Sequence, residues 1–347
     1  MAYVFNYPIS SLGLDLGRGY AISMPVDWYQ QILDNGPLPV IGFLHGGNGS
    51  AVDFLTTTML INSWWEGFGV TANAAKAIAF APQGVGIDGQ AGGDWNAGNL
   101  GRSNRLIGVD DVAFFFGALD QLEQYLLSGY VNDVQPVTGG GEITQIYDRS
   151  RLMLVGFSNG GQMVYRLVVE AASRGWTVTA VCVFSTSIGG WHREVDRGVA
   201  LPPNADWVPA IIPSLLHIHG ASDPNIKPSN DGVSSSIVTS VEAQVGQFAA
   251  PNFERADISA VNSVAEYVAV GTNLVATAGW AVVAATTPPT FPAGVTPNPL
   301  NTNEWDSTGG ATSDVQTCVA IIPNLAHAVM TGGPKMAFTF FRTWGGL

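Results

Sequence analysis

Five short apolar runs set the frame of this chain: Pro39 to Leu44, Lys76 to Ala81, Arg151 to Val155, Val178 to Phe184 and Ser214 to His219. A sixth, Thr317 to Ile322, comes near the end. None alternates polar with apolar residues, so each reads as a strand buried on both faces, the mark of a parallel sheet covered by helices. Helical spacing fills the gaps between them. In Asp110 to Leu127, Val112, Phe115, Phe116, Leu119, Leu122 and Leu126 share one face, with Asp110 placed to cap the start and Gly129 after the end. In Asn159 to Arg174, Met163, Leu167 and Ala171 recur at helical spacing and Gly175 supplies the stop. Strands alternating with helices predict a doubly wound α/β sheet, mostly parallel, with helices on both faces. Tyr20 to Met24, ending at Pro25, reads as an antiparallel edge strand.

A length of 347 residues suits a single domain of this class. Hydrophobic residues make up 46% and charged residues 12%, yet no apolar stretch reaches the roughly 18 residues of a membrane span, so no membrane partner is expected. A net charge of -13 and a pI near 4.6 exclude a nucleic-acid partner, which would need clustered Lys and Arg. The start, Met1-Ala-Tyr-Val-Phe-Asn-Tyr-Pro8, has neither a basic segment nor an apolar core, so no secretory signal is visible. Two addresses stay open, the cytoplasm or export with the leader removed. Cys182 and Cys318 sit in separate strands with another strand between them. Two strand spacings, about 9.5 Å, exceed the roughly 7 Å limit for a disulfide, so two buried free thiols are expected. Thr138 to Gly141 and Ser234 to Ser236 read as loop punctuation. The region of about 271–303, an apolar patch followed by proline and threonine, reads as an insertion near the sheet's C-terminal edge, either a plain surface loop or a flap over substrate.

Between the third run and the second helix lies Gly156-Phe157-Ser158-Asn159-Gly160. A serine between a strand and a helix, flanked by glycines, is the pattern of a nucleophile elbow, although a bare glycine turn fits the pentapeptide equally well. A serine hydroxyl reacts at neutral pH only with a base in hydrogen-bond reach and an acid to orient that base. In α/β-hydrolases these partners follow in the order Ser, Asp or Glu, then His. His45 precedes Ser158, and His192, His217 and His219 precede any acid placed after the Ser214 run. His327 is left as the base, in a loop just past the Thr317 run, where open α/β sheets place their sites. The preferred acid is Asp223, in His219-Gly-Ala-Ser-Asp223-Pro224 after a strand end. Asp196 and Asp206 rank below it.

Attack on a carbonyl also needs donors for the developing oxyanion. The Asn159 N–H follows the nucleophile directly, and the loop His45-Gly46-Gly47-Asn48-Gly49 offers a second donor, Gly47 ahead of Asn48. Asp110 and Asp111 read as helix cap and loop support rather than catalysts. Asn48, Trp95 and Trp191 are candidate substrate contacts, against the plainer reading that tryptophans pack. No His, Cys and carboxylate cluster has metal-ligand spacing, so neither metal nor other cofactor is expected.

The set Phe43-Leu-His-Gly-Gly47, Val109-Asp-Asp-Val112 with Phe115, Val155-Gly-Phe-Ser-Asn-Gly-Gly161, Ile218-His-Gly-Ala-Ser-Asp-Pro224 and Leu325-Ala-His327 resembles the polyhydroxybutyrate depolymerase and feruloyl or acetylxylan esterase group of α/β-hydrolases. The likeness runs from about residue 39 to the end of the sequence. It implies an α/β-hydrolase fold and a serine ester hydrolase with Ser158 as nucleophile, His327 as base, Asp223 as acid, and Gly47 with Asn159 at the oxyanion hole. It also implies a polyhydroxyalkanoate-type, feruloyl or acetyl ester as substrate. A serine peptidase or amidase would use the same triad, and a catalytically silent binding module is the remaining alternative.

Overall fold

The computed structural model describes residues 2–5, 18–69, 74–86, 92–97, 109–127, 143–186, 213–220, 222–226, 267–270, 273–276, 302–306, 316–322 and 325–347. Along the chain these give β1 (Ala2–Phe5), β2 (Tyr20–Ser23), α1 (Trp28–Asn35), β3 (Leu38–Leu44), α2 (Ala51–Asp53), α3 (Ile61–Trp65), β4 (Ile78–Pro82), β5 (Val85–Gly86) and β6 (Gly93–Asp94). There follow α4 (Asp111–Tyr125), β7 (Tyr147–Phe157), α5 (Asn159–Glu170), β8 (Val178–Phe184) and β9 (Ser214–Gly220). The chain continues with β10 (Tyr267–Val270), β11 (Asn273–Ala276), β12 (Thr302–Asp306), β13 (Gln316–Ile322) and α6 (Gly333–Phe340).

Among the described residues the main sheet has 9 strands in the order β1-β2-β4-β3-β7-β8-β9-β13-β12. β4, β3, β7, β8, β9 and β13 run parallel to one another and hold the six apolar runs, the second of them from Ile78 on. β2 and β12 flank them antiparallel, and β1 pairs antiparallel with β2 outside it. The chain leaves β3 for β4 on one side and returns to β7 on the other, so the strand order switches direction between β3 and β7. That switch point is where an open parallel sheet leaves a crevice beyond its carboxyl edge. This topology is the α/β-hydrolase fold.

Although the parallel strands are apolar throughout, alternate residues serve different cores. Val40, Ile78, Leu152, Leu154, Val181 and Leu215 face one layer, built from α1, α4 and α5. Ile41, Ala79, Met153, Val155, Cys182 and Leu216 face the other, built from the 51–65 segment and α6. The period of two is intact, and its polar half is missing because no face meets water.

Helix ends follow the sequence signals. The Asp110 carboxylate accepts from the Ala113 N–H at 2.9 Å, an N-cap worth roughly 1 kcal/mol. After α5 a short turn ends at Gly175, whose φ of 75° is the left-handed stop.

The structure extends or corrects several expectations. β7 begins at Tyr147, ahead of the apolar run, where Tyr147 pairs with Leu38 of β3 before a register shift. β2 is not the outermost strand, since β1 pairs outside it. Cys182 is buried and free. Cys318 lies two strands away, with Leu216 of β9 in register between them. Gly129, Thr138 to Gly141 and Ser234 to Ser236 lie outside the described residues, as does most of the region 271–303, of which β11 and the start of β12 are seen. Among the described residues no helix is long and apolar enough to cross a membrane.

Candidate active site

Ser158 sits between β7 and α5 with φ 52° and ψ -120°, a conformation that costs a non-glycine residue roughly 1–3 kcal/mol. Its neighbours explain how the chain holds it there. The Ser158 N–H donates to the Phe184 carbonyl of β8 at 3.0 Å, and the Thr186 hydroxyl donates to the Ser158 carbonyl at 2.7 Å. A side chain on Gly160 would overlap the Leu44 and His45 carbonyl oxygens, so only glycine lets α5 start this close to the end of β3. The elbow is thus strained at its serine and over-determined around it.

His327 enters from the loop after β13 and Asp223 from the turn after β9. The Ser158 hydroxyl lies 2.8 Å from His327 Nε2, and His327 Nδ1 lies 2.8 Å from Asp223 Oδ2. A carboxylate only accepts, so Nδ1 carries the proton and Nε2 presents a lone pair to the serine. The other Asp223 oxygen accepts from the Asn225 N–H at 2.8 Å and the Ile226 N–H at 3.0 Å. Burial pushes the Asp223 pKa up, but its bonds from His327, Ile226 and Asn225 outweigh that and hold the carboxyl below its ordinary range. Phe157 packs its ring 5.1 Å from the His327 ring and shields the base on one side.

The loop after β3 is pinned at many points. The Gly49 N–H donates to the Gly46 carbonyl at 3.0 Å, and Gln83 bridges the loop by accepting from the Ala51 N–H and donating to the Gly49 carbonyl. His45 is buried beneath it, with Nδ1 2.7 Å from the Gly46 carbonyl and Nε2 accepting from the Gly84 N–H at 3.0 Å. Burial lowers the His45 pKa to about 4, so the ring is neutral and its tautomer is fixed by those two bonds. Asn48 is exposed, with φ 58°, and its N–H donates to Asp94 Oδ1 at 3.2 Å. Of the two loop N–H groups weighed from sequence, that of Asn48 is therefore already engaged. The Asn159 N–H lies in the first turn of α5, where helix geometry supplies no acceptor and the dipole favours negative charge.

Trp95 is corrected. Its indole is 0% exposed and offers no surface to a substrate. Instead its Nε1–H donates to the His45 carbonyl at 2.8 Å, its backbone N–H donates to Asn159 Oδ1 at 2.6 Å, and Asn159 Nδ2 donates back to its carbonyl at 3.2 Å. It clamps the loop after β3 to the start of α5. Behind it Asp111 accepts from the Asn96 N–H and pairs with the buried Arg18, so Asp110 and Asp111 stand as cap and loop support. Trp191, His192, Asp196 and Asp206 lie outside the described residues. Sequence reading missed Arg18, Gln83 and Asp94 as braces, because isolated polar residues in loops carry no periodic signal.

No protein-family model and no curated protein sequence matches the chain. Solved structures do resemble it. The acetyl xylan esterase from Aspergillus awamori is 13% identical, with 98% of this chain and 99% of that one covered and a TM-score of 0.46. Esterase PE8 is 14% identical over 92% of this chain and 96% of that one, with a TM-score of 0.40. A ferulic acid esterase is 15% identical over 64% of this chain and 79% of that one, also at 0.40.

Proposed function

We propose that this protein is a serine carboxylic-ester hydrolase. The observation that carries the reading is the unbroken line from the Ser158 hydroxyl through His327 to Asp223, with 2.8 Å at each step. In this mechanism Ser158 Oγ attacks the ester carbonyl while its proton passes to His327 Nε2. The developing oxyanion is received by the N–H groups of Asn159 and Gly47. His327 then returns the proton to the departing alkoxide, leaving an acyl-serine and a free alcohol. Water attacks that acyl group through the same base, and the proton taken from water returns to Ser158 as the acid product leaves. Asp223 keeps the His327 proton on Nδ1 throughout and stabilises the transient imidazolium.

As substrate we infer a polyhydroxyalkanoate-type, feruloyl or acetyl ester, supported by the Ser-Asn-Gly-Gly elbow and the Asp-Asp pair noted in the sequence. The test is turnover of p-nitrophenyl acetate and butyrate by the wild type and S158A. Unchanged activity in the purified variant overturns the assignment. A panel of methyl ferulate, acetylated xylan, hydroxybutyrate oligomers and peptide amides then identifies the leaving group.

A further inference from the structure

Behind the acid of the triad lies a second row of polar side chains. His217 and His219 are successive inward positions of β9, on the face that Leu215 shares with the apolar core under α5. Both are 0% exposed. Two imidazoles in such a layer are tolerated only if every ring nitrogen finds a partner. They do so in a line. Tyr165 Oη of α5 is 3.2 Å from His217 Nδ1, His217 Nε2 is 3.3 Å from His219 Nδ1, and His219 Nε2 is 2.8 Å from the Ile226 carbonyl. The same His219 nitrogen is 3.4 Å from Asp223 Oδ2.

One end of this line sets all the rest. The Ile226 carbonyl can only accept, so His219 Nε2 carries a proton. Burial holds both imidazoles neutral, lowering their pKa values. A neutral His219 therefore has a bare Nδ1, which requires the proton of His217 on Nε2, which in turn leaves His217 Nδ1 to accept from the Tyr165 hydroxyl. Every donor points the same way, toward the acid. Among the described residues, the titratable groups facing this row are Tyr165, Asp223 and, beyond the acid, His327.

We propose that Tyr165, His217 and His219 form a neutral, one-directional hydrogen-bond chain that positions the triad acid, with His219 as the residue acting on it. His219 acts through two contacts. By holding the Ile226 carbonyl it fixes the turn whose N–H groups at 225 and 226 grip Asp223 Oδ1. By turning the positive end of its N–H toward Oδ2 it steadies the oxygen that orients His327. Because the ring is neutral, it does this without cancelling the carboxylate charge that the imidazolium of His327 needs.

The assignment rests on the triad reading above, and two readouts separate the two. Long-range 15N–1H correlation spectra of the full-length wild type report the tautomers directly. Both His217 and His219 are expected as neutral Nε2–H forms near neutral pH, and either ring found as Nδ1–H or doubly protonated overturns the chain. Kinetics report the positioning. H219F keeps the ring and loses the donor, so kcat should fall roughly tenfold or more, the value of one hydrogen bond to a charged group, with KM little changed. H219Q restores a donor at the same reach and should recover most of that loss. An H219F enzyme with wild-type kcat, or an H219Q enzyme no better than H219F, overturns the positioning role. Should H219F fail to fold, H219Q alone tests the positioning: kcat within a few-fold of wild type is expected, and a loss of roughly tenfold or more overturns the role. A wild type that neither hydrolyses ester nor reacts with a fluorophosphonate at Ser158 sinks the triad reading, while the spectra still decide the direction of the chain.

Discussion

Gly220 lies so close to Leu325 that a Cβ built on it would overlap the Leu325 carbonyl oxygen. The same oxygen accepts the Ser222 N–H at 3.1 Å. The acid turn and the base loop therefore meet backbone to backbone, and the 2.8 Å bond between Asp223 and His327 depends on that approach as much as on its own atoms.

Gly220→Ala should consequently separate the two loops. The clash is with backbone, which cannot swing aside as a side chain can, so the cost falls at the upper end of the roughly 1–3 kcal/mol seen for overpacking, or beyond it. A lowered melting temperature with slowed fluorophosphonate labelling of Ser158 is the expected result. Wild-type labelling would show that the loops tolerate the shift.

Asp223→Asn keeps the shape of the acid and removes its charge. The amide can turn its NH2 toward His327 Nδ1, which then becomes the acceptor, and the proton moves to Nε2, the wrong side for the serine. Triads altered in this way lose on the order of 10⁴ in kcat. The variant should fold, because the Asn225 and Ile226 N–H groups still find an oxygen, and a loss below about tenfold in ester turnover would move the acid elsewhere.

Arg18 and Asp111 are an ion pair with side chains 4% and 0% exposed. Removing one partner leaves a buried charge alone, so Arg18→Met should cost about 3–5 kcal/mol in a denaturant titration. Removing both, as R18M/D111L, should recover a large part of that cost, although the Asn96 N–H then loses its acceptor. A double variant no more stable than the single would mean that packing against Phe114, whose ring centre lies 3.6 Å from the guanidinium carbon, matters more than charge.

Burial lowers the His45 pKa to about 4 from an unfolded value of 6.5, so between those values the unfolded chain binds the extra proton. His45 therefore leaves stability unchanged above pH 6.5 and removes it progressively as pH falls, reaching about 3 kcal/mol near pH 4. His217 and His219 shift in the same direction and steepen the loss. Denaturant midpoints measured down this range should fall, and His45→Gln should flatten the curve. A midpoint constant from pH 7 to 4 would contradict the buried, neutral ring.

The parallel strands, and the three residues that the fold brings into contact, Ser158, His327 and Asp223, were legible in the sequence because they leave patterned traces: runs apolar on both faces, a glycine-flanked serine, and a chain order that can be tested. The antiparallel flanks were harder to read. β12, Thr-Asn-Glu-Trp-Asp, and the four-residue β1 lack the continuous apolar run that marks a strand buried on both sides. Trp95 was misread for a related reason. Its position after a strand end was right for a substrate contact, but whether an indole points out or in depends on partners such as His45 and Asn159, which come from distant parts of the chain. The histidine row on β9 shows the same limit. Two histidines in an apolar strand are visible as letters, while their alignment with Tyr165 needs the packing of α5.

Ser158 and His327 are separated by 169 positions, and Asp223 and His327 by 104. During synthesis the nucleophile and its strand leave the ribosome long before the base exists. A chain stopped anywhere short of residue 327 lacks the imidazole that the Ser158 hydroxyl meets. On the proposed mechanism the serine therefore gains its base only when the loop after β13, the strand paired with β9, is in place.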